Sequence, residues 1–102
     1  MPRFVRVASK QELDAQSPRC VEVEGRRIAL FSLGGAVYAI DDTCTHDGGP
    51  LSEGAVEGEE VECPWHGARF KIATGDACSP PAFEPVTRYD VRVTGDDVEI
   101  GL

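Results

Sequence analysis

Short runs of alternating apolar and polar residues recur along this chain, and each run is typical of a half-buried β-strand. The clearest are FVRVA at 4–8 and CVEVEG at 20–25. Two more apolar runs, RIALFSL and AVYAI, flank Gly34 and Gly35 and predict a hairpin whose strands are mostly buried. A second hairpin near the C-terminus is predicted by TRYDVRV and VEI on either side of TGDD.

Strands this short, broken by Gly, Pro and Asp, predict an all-β fold, a small antiparallel β sandwich or barrel. The one helical signal is Ser9 followed by Glu12, a capping box for a single turn. A chain of 102 residues has room for one domain. We expect its framework in residues 1–42 and 84–102, and its functional loops in the Gly- and Pro-rich segment of about 43–83.

No targeting segment is predicted. The first residues, MPRFVRVASKQELD, contain neither an apolar core nor a small-residue cleavage site, and no stretch approaches 18 unbroken apolar residues. We therefore expect no membrane association and a cytoplasmic location, where thiols stay reduced and cysteines more often bind metal than form disulfides.

The formal net charge of −8 is concentrated in one segment, here called the acidic stretch (residues 41–62). It contains eight acidic residues and no Lys or Arg, whereas the rest of the chain has ten residues of each sign. Such a balance argues against a nucleic-acid partner, whose phosphates need a basic surface. The stretch is interpreted either as a solubilising loop or as a docking surface for a basic partner, with an attraction that salt would weaken.

Four potential metal ligands lie inside the Gly- and Pro-rich segment: Cys44 and His46 in CTHDG, and Cys63 and His66 in CPWHG. They include both histidines of the chain and two of its four cysteines. The two pentapeptides resemble each other. Two similar loops that face each other would hold one object from two sides.

Three interpretations of these residues are open. A structural zinc site would use two Cys and two His, but zinc modules usually place a C-x₂₋₄-C knuckle before a histidine pair. A catalytic Cys/His pair needs only one residue of each type and leaves the duplication without a purpose. An iron–sulfur cluster with mixed ligation uses all four residues and accounts for the duplicated loop.

The sequences CTHDGGPLSEG and CPWHGARFKIATG resemble the two cluster-binding boxes of Rieske [2Fe–2S] proteins, C-x-H and C-x-x-H. Most of the chain is similar to the small Rieske-type ferredoxins of bacterial ring-hydroxylating dioxygenase systems. The resemblance implies a Rieske-type antiparallel fold with an inserted cluster-binding subdomain of two loops. It also implies one [2Fe–2S] cluster, with Cys44 and Cys63 as thiolate ligands of one iron and His46 and His66 as imidazole ligands of the other.

The same resemblance implies a one-electron carrier that is not itself an enzyme. Its expected partners are a flavin-containing NAD(P)H-dependent reductase, which supplies electrons, and a terminal oxygenase, which receives them. Other functions stay open at this point: the small subunit of an assimilatory nitrite reductase, which has the same fold, a zinc-stapled interaction module, and a redox sensor.

Six further residues are expected to surround the cluster. The glycines would let backbone N–H groups approach sulfur or would adopt a positive φ. The tryptophan is expected to pack over the cluster loop, and the prolines to stiffen a loop that covers the cluster, with an ordinary surface turn as the alternative. These residues are Gly48, Gly49, Trp65, Gly67, Pro80 and Pro81.

The surroundings of the cluster predict a low reduction potential. Rieske proteins of respiratory chains have a disulfide between the loops and Ser and Tyr hydroxyls that bond the cluster. The corresponding positions here are Gly49, Trp65, Ala68 and Phe70, so these groups are missing. With fewer hydrogen bonds and many nearby carboxylates, we expect a potential of about −150 to −100 mV, near the bottom of the Rieske range.

Cys20 and Cys78 match no ligand position. Cys20 begins an alternating run and is expected to be a small buried hydrophobe. Cys78 precedes the predicted covering loop and is expected near the cluster. We expect no disulfide between them, because a disulfide has strict geometry that sequence spacing does not indicate.

Overall fold

The computed structural model describes residues 3–13, 18–44, 48–65, 67–79 and 84–101. In these ranges the regular structure consists of eleven β-strands and two short 3₁₀ helices, Lys10–Glu12 and Leu51–Glu53. The strands are β1 Phe4–Ser9, β2 Arg19–Val23, β3 Arg26–Leu33, β4 Ala36–Asp41, β5 Ala55–Glu57, β6 Glu60–Glu62, β7 Arg69–Lys71, β8 Ala77–Ser79, β9 Arg88–Tyr89, β10 Val91–Thr94 and β11 Asp97–Gly101. No helix in the described ranges has the length and apolar character needed to cross a membrane.

The strands form three antiparallel sheets with the orders β1-β11-β10, β2-β3-β4-β9 and β5-β6-β7-β8. The second of these is the central layer, because successive side chains of β3 point to opposite faces and both faces are buried. Ile28 and Leu30 pack with Ile100 of β11 on one face. Phe31 packs with Phe70 of β7 on the other. The antiparallel all-β prediction is confirmed, and the third sheet is inserted between β4 and β9.

The hairpin predicted around Gly34 and Gly35 is formed by β3 and β4, which pair from Leu33↔Ala36 at the turn to Ile28↔Asp41. Both glycines have positive φ, +56° and +85°. A two-residue turn of this kind requires that conformation, which glycine adopts without strain.

The second predicted hairpin is only partly correct. β10 and β11 pair around a turn with Thr94↔Asp97 as its last pair. The preceding residues Arg88 and Tyr89 form β9, which pairs with β4 in the central sheet. The run TRYDVRV is therefore divided between two sheets at Asp90.

The helical turn predicted at Ser9 is the first 3₁₀ helix, and Glu12 Oε1 accepts a hydrogen bond of 2.9 Å from the Ser9 N–H. This is the backbone half of the predicted capping box.

Candidate metal centre

The two cysteine loops, residues 44–49 and 63–68, are closed by equivalent antiparallel residue pairs. Thr43 and Pro50 form an antiparallel bridge around the first loop. Glu62 and Arg69 pair at the ends of β6 and β7 around the second. Each pair therefore closes a loop of the same length, which begins with a cysteine.

The backbone hydrogen bonds inside the two loops are also the same. In each loop the cysteine N–H donates to the carbonyl of the sixth residue, and the cysteine carbonyl accepts from the N–H of the fifth, a glycine. The N···O distances are Cys44–Gly49 2.9 Å, Gly48–Cys44 2.9 Å, Cys63–Ala68 2.7 Å and Gly67–Cys63 3.1 Å. The resemblance between CTHDG and CPWHG is thus a resemblance of backbone structure.

The glycine in the fifth position of each loop has a positive φ, +79° at Gly48 and +77° at Gly67. This agrees with one of the two roles expected for these glycines. Gly49 is buried and contributes the carbonyl that accepts from Cys44.

The two loops bring Cys44 and Cys63 into one apolar cluster. Their exposed fractions are 2% and 1%, and both thiols are free of disulfide bonds. The cluster contains Phe31, Ile40 and Phe70, among other residues. Ala68 and Phe70, where a hydroxyl-bearing Rieske protein would have Ser and Tyr, are fully buried in it.

The histidines His46 and His66 lie outside the described residues, as do Pro80 and Pro81. Within the described ranges no group of three or more His, Cys, Asp or Glu side chains is placed to hold a metal ion. Both ends of the predicted covering loop are described. On one side β8 pairs with β7, and on the other the Val86 N–H donates to the Gly75 carbonyl at 2.9 Å.

Asp42 fixes the beginning of the first loop, although sequence analysis gave it no role. It is the one buried charged residue in the described part of the chain, 2% exposed. Its carbonyl accepts from the Leu51 N–H at 3.0 Å and its Oδ1 from the Ser52 N–H at 2.5 Å. Its Oδ2 has no hydrogen-bond partner and lies 3.7 Å from the Arg27 guanidinium. The signal available in the sequence was a carboxylate directly after a buried strand.

A cleft of about 220 Å³ opens between the two loops. It is lined by Trp65 of the second loop and Gly48 of the first. The other lining residues are Arg27, Asp42, Thr43, Pro50 and Glu53. The Trp65 side chain is 58% exposed. The ring therefore lies beside the first loop but is more open to solvent than the expected packing over the cluster loop implies.

Arg69 forms ion pairs with three carboxylates of the acidic stretch, a second role that sequence analysis missed. Its Nη2 lies 2.7 and 2.8 Å from the two oxygens of Glu57. Its Nη1 lies 3.4 Å from Glu60 and its Nε 3.8 Å from Glu62. The hydrogen bond with Glu57, followed by its charge, raises the pKa of Arg69 above the ordinary arginine value. Three of the eight acids are therefore balanced in part by one guanidinium.

Cys20 and Cys78 both have free thiols. Cys20 is half-buried, with its Sγ 3.9 Å from an Arg27 nitrogen, and burial, helped by Asp42, raises its thiol pKa. Cys78 is exposed, and the little burial it has, followed by the charge of Glu60, raises its thiol pKa as well. A raised pKa keeps a thiol protonated and therefore unreactive.

Comparison with known proteins assigns the family. The sequence model of the Rieske [2Fe-2S] domain matches residues 3–90. The ferredoxin component of the naphthalene 1,2-dioxygenase system of Pseudomonas aeruginosa is 42% identical over 82 residues, which are 80% of this chain and 79% of that protein. The 3-phenylpropionate/cinnamic acid dioxygenase ferredoxin subunit of Escherichia coli is 49% identical over 76 residues, 74% of this chain and 72% of the relative.

Solved structures agree with the sequence relatives. The ferredoxin of carbazole 1,9a-dioxygenase from Nocardioides aromaticivorans IC177 superposes with a TM-score of 0.91 at 35% identity, over 95% of both chains. A ferredoxin in a complex with the reduced oxygenase of carbazole 1,9a-dioxygenase gives 0.89 at 33% identity, over 95% of this chain and 91% of that one. The putative NADH-dependent nitrite reductase small subunit of Mycobacterium tuberculosis gives 0.88 at 22% identity, over 100% and 96%, which shows a shared fold alone.

The donor atoms that the chain offers suit a Rieske-type cluster, which needs two thiolates and two imidazoles. Two buried cysteines on equivalent loops supply the soft sulfur donors in an apolar environment. Membership of this family favours an iron–sulfur cluster over the structural zinc site. The chain belongs to the Rieske [2Fe–2S] domain family, as a ferredoxin-type electron carrier with a Rieske-type [2Fe–2S] cluster.

Proposed function

We propose that this protein transfers single electrons from a flavin-containing NAD(P)H-dependent reductase to the terminal oxygenase of a ring-hydroxylating dioxygenase system. The observation that carries the proposal is the pair of matched loops, which place Cys44 and Cys63 in one buried apolar cluster. The named relatives support the choice of system, since they are ferredoxin components of dioxygenases. The carbazole ferredoxin seen with its oxygenase supports the choice of electron acceptor.

We assign Cys44 and Cys63 as ligands of one iron and His46 and His66 as ligands of the other. When bound, the cluster accepts and releases one electron at a time. The chain's own residues hold the two thiol-bearing loops in matched conformations through their internal hydrogen bonds. Phe31, Ile40 and Phe70 exclude water from the cysteine side.

The potential is proposed to be low, about −150 to −100 mV, because hydroxyl groups that hydrogen-bond the cluster raise the potential and two positions that could supply them do not. The buried positions Ala68 and Phe70 carry no hydroxyl. We also place the protein in the cytoplasm, because none of its four cysteines is in a disulfide bond.

The proposal is tested by an EPR spectrum of the reduced protein, with iron, zinc and sulfide measured on the same sample. We expect about two irons and two sulfides per chain, a rhombic spectrum of low average g, and a low potential by redox titration. A silent spectrum with one zinc per chain and no sulfide would overturn the proposal.

The four cysteines provide a matched control for the ligand assignment. Cys44→Ser and Cys63→Ser should lose the rhombic signal, because each removes one thiolate donor. Cys20→Ser and Cys78→Ser should retain it. His46→Cys or His66→Cys should lower the potential or prevent cluster assembly, since a thiolate adds negative charge. A His→Cys variant with an unchanged potential would remove that histidine from the ligand set.

A further inference from the structure

The ion pairs of Arg69 join three strands of the inserted sheet. Glu57 is on β5, Glu60 and Glu62 are on β6, and Arg69 is the first residue of β7. The Glu57 carboxylate is held by both of its oxygens, 2.7 and 2.8 Å from the same guanidinium nitrogen. Because one partner in each of these contacts is a charged guanidinium and the other a carboxylate, they are charge-assisted hydrogen bonds, which are stronger than neutral ones. The Arg69 side chain is 30% exposed and the Glu57 side chain 59%, so solvent and salt screen Glu57 more than Arg69.

This group of charges lies at the base of the second cysteine loop. Glu62 directly precedes Cys63, and Arg69 directly follows Ala68, whose carbonyl accepts from the Cys63 N–H at 2.7 Å. Glu62 and Arg69 also face each other as the last pair of β6 and β7 before the loop. A change in charge here is therefore a change at the root of a loop that we assign as a ligand loop.

Positive charge is scarce in this part of the molecule. From residue 43 to residue 79 the sequence contains seven acidic residues but only two cations, Arg69 and Lys71. Lys71 is exposed and pairs with Glu60 in the strand register, two residue pairs further from the loop than Arg69. Beside the other loop, Arg27 of β3 lines the cleft with Gly48 and lies 3.7 Å from the buried Asp42.

Reduction adds one negative charge to the cluster, and nearby carboxylates oppose that step while a nearby cation favours it. We propose that Arg69 sets the reduction potential of this carrier by its charge, holding the potential above the value that Glu57, Glu60 and Glu62 alone would give. The inference rests on the proposed ligand set, because it needs the cluster beside Cys63. In this role Arg69 acts through its charge and not as a ligand.

The test compares two variants that break the same ion pair from opposite sides. Arg69→Gln removes a positive charge and should lower the potential, whereas Glu57→Gln removes a negative charge and should raise it. Each shift should change the ratio of reduced to oxidised protein at a fixed electrode potential about two- to tenfold, the effect of one unit charge at roughly a Debye length. The double variant Glu57→Gln/Arg69→Gln should return close to the wild-type potential, and Arg69→Lys should retain it.

Arg92 and Glu99 supply the matched control. They form an ion pair of 2.7 Å on β10 and β11, in the sheet that lies on the other face of the central layer. Arg92→Gln and Glu99→Gln change the net charge of the protein by the same amounts, and we expect shifts clearly smaller than those at Arg69 and Glu57. The shifts at Arg69 and Glu57 should also shrink as ionic strength rises.

The outcomes separate charge from mechanics. A purely mechanical clamp would give shifts of the same sign in Arg69→Gln and Glu57→Gln, because both break the same contact, and this result would overturn the inference. Shifts no larger than those of the control pair would overturn it too. If Arg69→Gln does not fold, Arg69→Met removes the same charge and should also lower the potential, and an unchanged or raised potential in that variant would overturn the inference. If the reduced wild-type protein gave no rhombic EPR signal, the proposed function itself would be wrong, and not only the role of Arg69.

Discussion

At the scale of single residues, the glycine in the fifth position of each cysteine loop is required by backbone conformation and not by lack of space. Gly67 has a φ of +77°, which places it in the left-handed region. A Cβ built there would come no closer than 3.7 Å to Glu62 Oε1, an ordinary contact. A substituted side chain would fit the space but would strain the backbone.

Gly67→Ala should therefore lower the free energy of unfolding by about 1–2 kcal/mol, the usual penalty for a side chain in this conformation. It should also shorten the lifetime of the bound cluster, because the strain falls on the residue whose N–H bonds the Cys63 carbonyl. The two effects are measured by the guanidinium midpoint and by the decay of the visible absorbance of the cluster.

Gly58→Ala is the matched control for this prediction. Gly58 has a φ of +59° in the turn between β5 and β6, and nothing lies within 4 Å of a Cβ built there. The Gly58→Ala variant should lower the free energy of unfolding by a similar amount without shortening the lifetime of the bound cluster. Equal cluster lifetimes in the two alanine variants would show that Gly67 matters only for general stability.

At the scale of elements, β9 is a two-residue strand that one side chain helps to attach to the central sheet. It pairs with β4 through Ala39↔Tyr89 and Ile40↔Arg88, and the Asp41 N–H donates to the Thr87 carbonyl at 2.9 Å. The Tyr89 hydroxyl adds a hydrogen bond of 2.6 Å to Asp41 Oδ1, at the end of β4 just before the first cysteine loop. Burial, and then this hydrogen bond to Asp41, raises the pKa of Tyr89.

A phenol with a raised pKa binds its proton more tightly in the folded state. Its contribution to stability is therefore complete below the ordinary tyrosine pKa of about 10, and is lost as the pH rises through the higher folded value. Tyr89→Phe should lower the free energy of unfolding by about 1–3 kcal/mol at neutral pH, because a hydrogen bond to a carboxylate is lost. The difference from wild type should narrow at strongly alkaline pH.

The titration is followed by tyrosinate absorbance in Tyr38→Phe, which removes the other of the two tyrosines so that Tyr89 alone contributes. We expect its absorbance to rise only above the ordinary tyrosine pKa. A titration at the ordinary value would contradict the role given to the Asp41 contact.

At this scale the sequence predicted the features that depend on neighbouring residues alone. The hairpin of β3 and β4 followed from apolar runs around two glycines, and the similarity of the cysteine loops followed from CTHDG and CPWHG. Alternation does not indicate which sheet a strand joins, so the transfer of the chain between sheets at Asp90 was missed.

The partners of charged residues were missed for a related reason. The acidic stretch contains no cation, but antiparallel pairing of β6 with β7 places Arg69 against Glu62. The structural role of Asp42 likewise depends on Ser52, ten residues away. Contacts of this kind are set by strand register, which composition does not contain.

At the scale of the whole molecule, the exposed features most suited to a partner lie at the two cysteine loops. Among the described residues the large hydrophobic side chains that are exposed are Trp65, at 58%, and Val93, at 40%. Trp65 shares its cleft with the exposed Glu53 and with Arg27, whose guanidinium is 3.7 Å from the buried Asp42. Val93 is on β10 in the opposite outer sheet. An aromatic residue beside an acid suits a basic partner, and tryptophan is enriched among residues that dominate binding energy.

Trp65→Ala should slow electron transfer to the oxygenase about tenfold or more at protein concentrations below saturation, because about 1.4 kcal/mol or more of docking energy is lost. Glu53→Gln should slow it less at low salt and should reduce its dependence on ionic strength, since Glu53 would act by steering. Both are measured by stopped-flow oxidation of the reduced carrier across a salt series.

Val93→Ala is the control for exposed apolar area, because it truncates the other exposed hydrophobic residue on the opposite side of the fold. It should leave the transfer rate unchanged. The EPR spectrum and potential of Trp65→Ala must match wild type, so that a slower rate reports docking and not a damaged centre. Equal rates for the Trp65 and Val93 variants would place the docking surface elsewhere.

The salt dependence of the wild type tests the acidic stretch separately. If Glu53 steers the partner, salt screens its charge and the transfer rate falls as ionic strength rises. A rate that does not change with salt would show that the acidic stretch serves only solubility.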